Sequence, residues 1–119
     1  VLPDTWIAHV RPDGEVVGWI VPEGEGFLVR DRLGRVVGEP MDWLGAEETL
    51  DALGIGFLAE RWVLVEPDGA ERPVRIAEVT PEAVTVVADE FGAASAIGGE
   101  VDRIRLPFPA PPTLRPAGP

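Results

Sequence analysis

Twice in this chain a Pro-Asp-Gly triplet separates two apolar runs, first in Arg11-Pro12-Asp13-Gly14 and again in Glu66-Pro67-Asp68-Gly69. Proline presets the second position of a turn, aspartate closes it through its own side chain, and glycine accepts the positive φ that ends it. The combination predicts a type I turn closed by a glycine bulge, so each triplet joins two antiparallel strands. Few local signals restrict a fold as strongly. Val10 in the first unit aligns with Val65 in the second, but beyond the turns Glu15-Val16-Val17 faces Ala70-Glu71-Arg72. The two units therefore read as hairpins with shared turn chemistry rather than as a repeat architecture.

The first hairpin predicts a register. Pairing Arg11 with Glu15 puts His9 opposite Val17, Ile7 opposite Trp19 and Trp6 opposite Ile20. One face is then Trp6, Ala8, Val10, Val16, Gly18 and Ile20, all apolar; the other is the mixed set Ile7, His9, Arg11, Glu15, Val17 and Trp19. A slip of one residue would mix the faces, which is the usual way a sheet specifies its register. After the second triplet, strands are expected at about 71–79 and 84–89, with 61–66 before it and a turn at Thr80-Pro81-Glu82-Ala83 between the later two. Short strands at 27–31 and 35–38 flank Arg32-Leu33-Gly34, and a last strand runs near 101–106.

A single helix interrupts this pattern. Trp43, Ala46, Leu50 and Leu53 recur at helical spacing in "MDWLGAEETLDALG", which predicts a short α-helix around residues 45–53. Asp42 or Gly45 can cap its start, Glu47 and Glu48 would occupy its first turn, and Gly54 is a natural stop. From Pro107 onward, six prolines in 13 residues predict a polyproline-like tail outside any ladder. Pro109 and Pro112 keep P-x-x-P spacing there, with Arg115 one position late for the usual ligand pattern. The expected organisation is a single mostly-β domain over 1–106 and a proline-rich tail over 107–119. The expected fold is mainly β, a small partly open barrel or rolled antiparallel sheet of about seven to nine strands.

Within it, the pattern from Arg61 to Asp89 resembles the three-strand core of SH3-like or Sm-like barrels. The resemblance covers about a quarter of the chain, rests on hydrophobic pattern and brings no function with it. The RNA binding of Sm-like proteins conflicts with the charge of this chain.

That charge is −11 over 119 residues, and all ten bases are arginine. A lysine-free composition rich in Ala, Gly, Pro, Val and Arg is that of a high-GC bacterial gene. Binding to nucleic acid or to an anionic membrane needs a basic footprint, so neither partner is expected. No apolar run approaches the ~20 residues of a membrane helix, and no charged-then-apolar leader is in view. Cytoplasm is the expected compartment. Cysteine is absent, which removes disulfides and thiolate metal sites.

Motifs for chemistry are sparse. His9 is the only histidine and Ser95 the only serine, and "GAASAIGG" lacks the strand-to-helix elbow of an α/β hydrolase nucleophile. His9 is the candidate general base, set against the plainer reading of a half-exposed strand histidine. Asp89, Glu90, Glu100 and Asp102 flank one loop and are the candidate oxygen ligands for a hard cation, set against a solvated acidic rim. In "PEGEGF" (22–27) a glycine-rich loop follows a strand, but Glu23 and Glu25 oppose a phosphate there and the stretch reads as a turn. No cofactor is expected.

Charge distribution is more informative. No base occurs between Arg35 and Arg61 or between Arg75 and Arg103, while acids continue through both stretches. The helix residues Glu47, Glu48 and Asp51 thus become the candidate contacts for a basic protein partner. Trp19, on the mixed face, is the candidate aromatic anchor, unless it packs beneath the helix stripe. The functional expectation is a non-enzymatic protein-interaction module: an adaptor, inhibitor or immunity-type protein, with homo-oligomerisation through the mixed face as a further outcome. The alternatives are a small-molecule-binding barrel lined by Trp6, Trp43 and Trp62, and a hydrolase using His9 and a carboxylate.

Overall fold

The computed structural model describes residues 2–89 and 103–117. It is mainly β, with two antiparallel sheets and one α-helix among the described residues. The chain divides into two compact units, Val1–Phe57 and Leu58–Pro119.

The first unit is a four-stranded meander in the order β1-β2-β3-β4, formed by Ile7–Val10, Val16–Glu23, Gly26–Asp31 and Val36–Met41. Three turns join the strands. At Gly14 (φ 91°) the amide donates to Arg11 O at 2.9 Å and the Arg11 amide to Glu15 O at 2.9 Å, which is the expected turn with its glycine bulge. Asp31-Arg32-Leu33-Gly34 repeats that geometry, with Gly34 at φ 81° and its amide 2.9 Å from Asp31 O. "PEGEGF" is a hairpin whose last ladder pair, Glu23 with Gly26, leaves Gly24-Glu25 as the loop. Gly24 has φ 58° and no non-glycine among the described residues, Glu25 included, has positive φ, which makes it a type II′ turn.

The α-helix α1, Trp43–Leu53, packs its apolar stripe on β2 and β3. The Asp42 carboxylate caps it by accepting from the Gly45 amide at 2.8 Å, and Gly54 (φ 61°) ends it. The helix begins before the expected residue 45, so Glu47 and Glu48 lie beyond its first turn. Val17, Ile20, Val29, Ala46 and Leu50 form the core, with Phe27, Val37, Met41 and Ile55 around it.

This core corrects the register of the first hairpin. The ladder pairs are Ile7 with Ile20, Ala8 with Trp19, His9 with Gly18 and Val10 with Val16, and the shift falls between His9 and Val10. Val17 is the extra residue. The Arg11–Glu15 closure stands, but a bulge displaces every pair beyond Val10 by one. The physical reason is packing: Val17 and Ile20 are both buried in the helix-side core, and an unbroken strand would send residues three apart to opposite faces. Gly18 permits the approach, since a Cβ there would lie 2.3 Å from Arg30 O and 2.8 Å from Leu50 Cδ2.

The second unit is a five-stranded open sheet, β8-β7-β6-β5-β9, built from Trp62–Val65 (β5), Glu71–Val79 (β6), Ala83–Ala88 (β7), Arg103–Pro107 (β8) and Leu114–Pro116 (β9). The meander expected over Arg61 to Asp89 is β5-β6-β7. The proline-rich segment does join a ladder, contrary to expectation: Leu114, Arg115 and Pro116 pair with Leu64, Val63 and Trp62. An edge strand bonds on one side only, so its prolines are tolerated where the missing donor faces outward. Leu114 is fully buried and secures the segment. Neither sheet closes into a barrel.

Candidate functional site

The true register turns His9 toward α1. Its ladder partner Gly18 has its vacant Cβ direction aimed at Leu50, so the β1 residue beside it shares the helix side of the sheet. Glu47 and Asp51 are one helical turn apart and project on the same flank. His9 Nε2 lies 2.8 Å from Asp51 Oδ1, and Nδ1 is 3.9 Å from Glu47 Oε2. The imidazole is mostly buried, at 15% side-chain exposure, while Asp51 is 66% exposed. The candidate base His9 and the candidate partner contacts Glu47 and Asp51 are thus brought together. The hydrogen bond to Asp51, with Glu47 beside the other ring nitrogen, clasps β1 to α1. Ser95 lies outside the described residues.

The outer face of α1 carries Leu44, Glu47, Glu48 and Asp51, related by helical spacing. Leu44 is 62% exposed, the most exposed large apolar side chain among the described residues. Trp43 is partly exposed and sets its ring edge-on to Phe27 at 5.3 Å. No basic residue lies between Arg35 and Arg61 to offset these acids.

Trp19 is not an exposed anchor, since only 4% of it is accessible. It does not pack beneath the helix stripe either. Alternation from Gly18 and Ile20 sends it to the opposite face, where its ring meets Trp6 at 5.7 Å. The Arg30 guanidinium stacks 4.5 Å from the Trp6 ring centre, and that of Arg32 lies 5.5 Å from Trp19. Arg30 also donates through Nη1 to Gly34 O at 2.7 Å. Sequence reasoning missed these arginines, because only the ladder shows that Arg30 sits beside Trp19. Burial pushes the Arg32 guanidinium below its ordinary value, and it pushes the Asp31 carboxyl up against the amides of Arg35 and Leu33 that favour its charge.

On the helix side the first unit presents Glu47, Glu48 and Asp51, and on the other face Arg30 and Arg32 lie against Trp6 and Trp19. Trp6 and Trp43 lie on opposite faces of the first sheet, so these two do not line one interior. Asp89 is 3.5 Å from the Arg75 Nε, and Glu90, Glu100 and Asp102 lie outside the described residues. Among the described residues, no group of three or more His, Asp or Glu side chains could hold a metal ion. None of their helices is long and apolar enough to cross a membrane. No protein-family model matches the chain, and no curated protein or solved structure matches it.

Proposed function

We propose that this chain is a non-enzymatic protein-interaction module of the adaptor, inhibitor or immunity type, which engages a basic protein partner through the outer face of α1. The observation that carries this reading is the ridge of Glu47, Glu48 and Asp51 that continues along α1 from the exposed Leu44. Carboxylates steer association and select a basic partner, while an exposed apolar group beside them supplies area to bury. The net charge of −11 disfavours nucleic acid and anionic lipid as partners.

The test is affinity capture from cells of the source organism in low and high salt, repeated with an E47Q/E48Q/D51N variant and with Leu44→Ser. A specific protein retained at low salt, released at high salt and lost in both variants is the expected result. A partner retained equally by all forms would overturn the assignment to α1.

A further inference from the structure

We propose that β1 is a strand-addition site, at which an extended basic segment of a partner protein pairs with the free edge of the first sheet. The proposal rests on the protein-interaction reading above and specifies how that partner binds. Among the described residues the two sheets have four edge strands: β1 and β4 in one, β8 and β9 in the other. Edge strands expose unpaired backbone groups, and proteins blunt them with proline, charge or irregular backbone. Three of the four are blunted here. β4 carries Pro40 and has Gly38 at φ 71°, β8 carries two arginines and ends at Pro107, and β9 is three residues long with Pro116. β1, with the sequence Ile-Ala-His-Val, has no proline and no permanent charge. Ile7 and Val10 are 41% and 49% exposed along it.

The direction of its free groups follows from the turn. The Arg11 amide donates inward to Glu15 O, and antiparallel ladders alternate, so His9 and Ile7 bond inward while Val10 and Ala8 direct their amides and carbonyls outward. An added strand would find two donors and two acceptors there. Its side chains would alternate between the two faces of the sheet. Those on the helix side would approach Ile7 and the ridge of Glu47 and Asp51, which His9 already shows to be within reach of β1. Positive side chains suit that side. Self-pairing of two copies would instead bring two such acidic ridges together in a chain of net charge −11, so the occupant is a basic segment of another protein rather than a second copy.

The test uses a synthetic peptide of alternating arginine and valine, about six residues long, against an otherwise identical glutamate-valine peptide. Binding is followed by amide NMR and hydrogen exchange on the intact chain. The expected result is saturable binding of the arginine peptide, with new protection of the Ala8 and Val10 amides. Ala8→Pro removes an outward donor without breaking the inward ladder, and an E47Q/D51N variant removes the charge; each should weaken binding about tenfold or more. Perturbations centred away from β1, equal binding of the glutamate peptide, or unaltered affinity in Ala8→Pro would overturn the proposal. Wild-type hydrogen exchange decides the matter if Ala8→Pro fails to fold. A concentration-dependent dimer abolished by Ala8→Pro would replace the basic segment by a second copy and so overturn the occupant. If the captured partner is lost with the α1 variants but kept by Ala8→Pro, the interaction reading stands and strand addition falls.

Discussion

The two Pro-Asp-Gly hairpins begin alike and end differently. In both turns glycine lies near φ +90°, at 91° for Gly14 and 88° for Gly69. In both, the aspartate accepts from the amide two residues on, at 3.0 Å for Glu15 and 3.0 Å for Ala70. Past the turn, β5 and β6 pair in one unbroken register from Val65–Glu71 to Trp62–Val74. β1 and β2 shift by one at Val17. The position that aligns with Gly18 in the second hairpin is Pro73, regularly paired with Val63. The difference is α1. Where a helix packs on the hairpin, its core needs Val17 and Ile20 on one face, and a bulge supplies that. Turn chemistry sets how a hairpin closes; packing sets how it continues.

Removing the helix anchor is the strongest way to break this contrast. Leu50 is fully buried between α1 and the sheet, and Leu50→Ala should cost about 2–5 kcal/mol. Hydrogen exchange should then rise at β1 and β2 while β5 and β6 keep their protection. An equal loss in both hairpins would show that the bulge does not depend on α1. Gly18→Ala comes next. Its new Cβ has no room against Arg30 O or Leu50, so a loss of about 1–3 kcal/mol is expected from overpacking. Urea denaturation measures it, and a neutral outcome would mean that the close approach at Gly18 is not what sustains the bulge.

The turns themselves should behave as equals. A Cβ at Gly14 or Gly69 meets nothing within 4 Å, so Gly14→Ala and Gly69→Ala probe backbone conformation alone. Each should cost about 1–2 kcal/mol, the penalty of a left-handed alanine. Unfolding midpoints that differ by more than ~1 kcal/mol between the two would show that the turns are held by more than their own sequence.

This pattern explains what could be read from the chain and what could not. The turns, the helix caps at Asp42 and Gly54, and the β5-β6-β7 meander were legible because a few neighbouring residues determine each. The bulge at Val17 was hidden, since it answers to Leu50 and Ala46 on an element that follows much later. β9 was hidden too: proline content describes Pro116 correctly as a poor donor but says nothing of Leu64, the distant partner that Leu114 finds. At the candidate site, His9, Glu47 and Asp51 were each identifiable, but their meeting across 42 positions depends on the shifted register. Trp19 was misplaced for the same reason, and the stacking of Arg30 and Arg32 has no local signature.

The smallest expected effect lies in two carboxylates that serve neighbouring turns of the first unit. The hydrogen bond from Arg11, supported by the Glu15 amide, holds Asp13 below the ordinary aspartate value, whereas burial raises Asp31 above it. The signs of their contributions are therefore opposite. The folded state binds the Asp13 proton less tightly than the unfolded chain, so that contribution is present above the ordinary value and lost as pH falls through the lowered one. At Asp31 the folded state binds the proton more tightly; its contribution is present at low pH and lost as pH rises through the raised value. Carboxyl-carbon NMR titration should place the Asp13 midpoint below that of Asp31. Arg11→Gln should move Asp13 up toward the ordinary value and leave Asp31 in place, because Asp31 is shifted by burial rather than by Arg11. Midpoints shifted in the same direction, or a joint response to Arg11→Gln, would mean that one field governs both turns and that their environments do not differ as the burial of Asp31 requires.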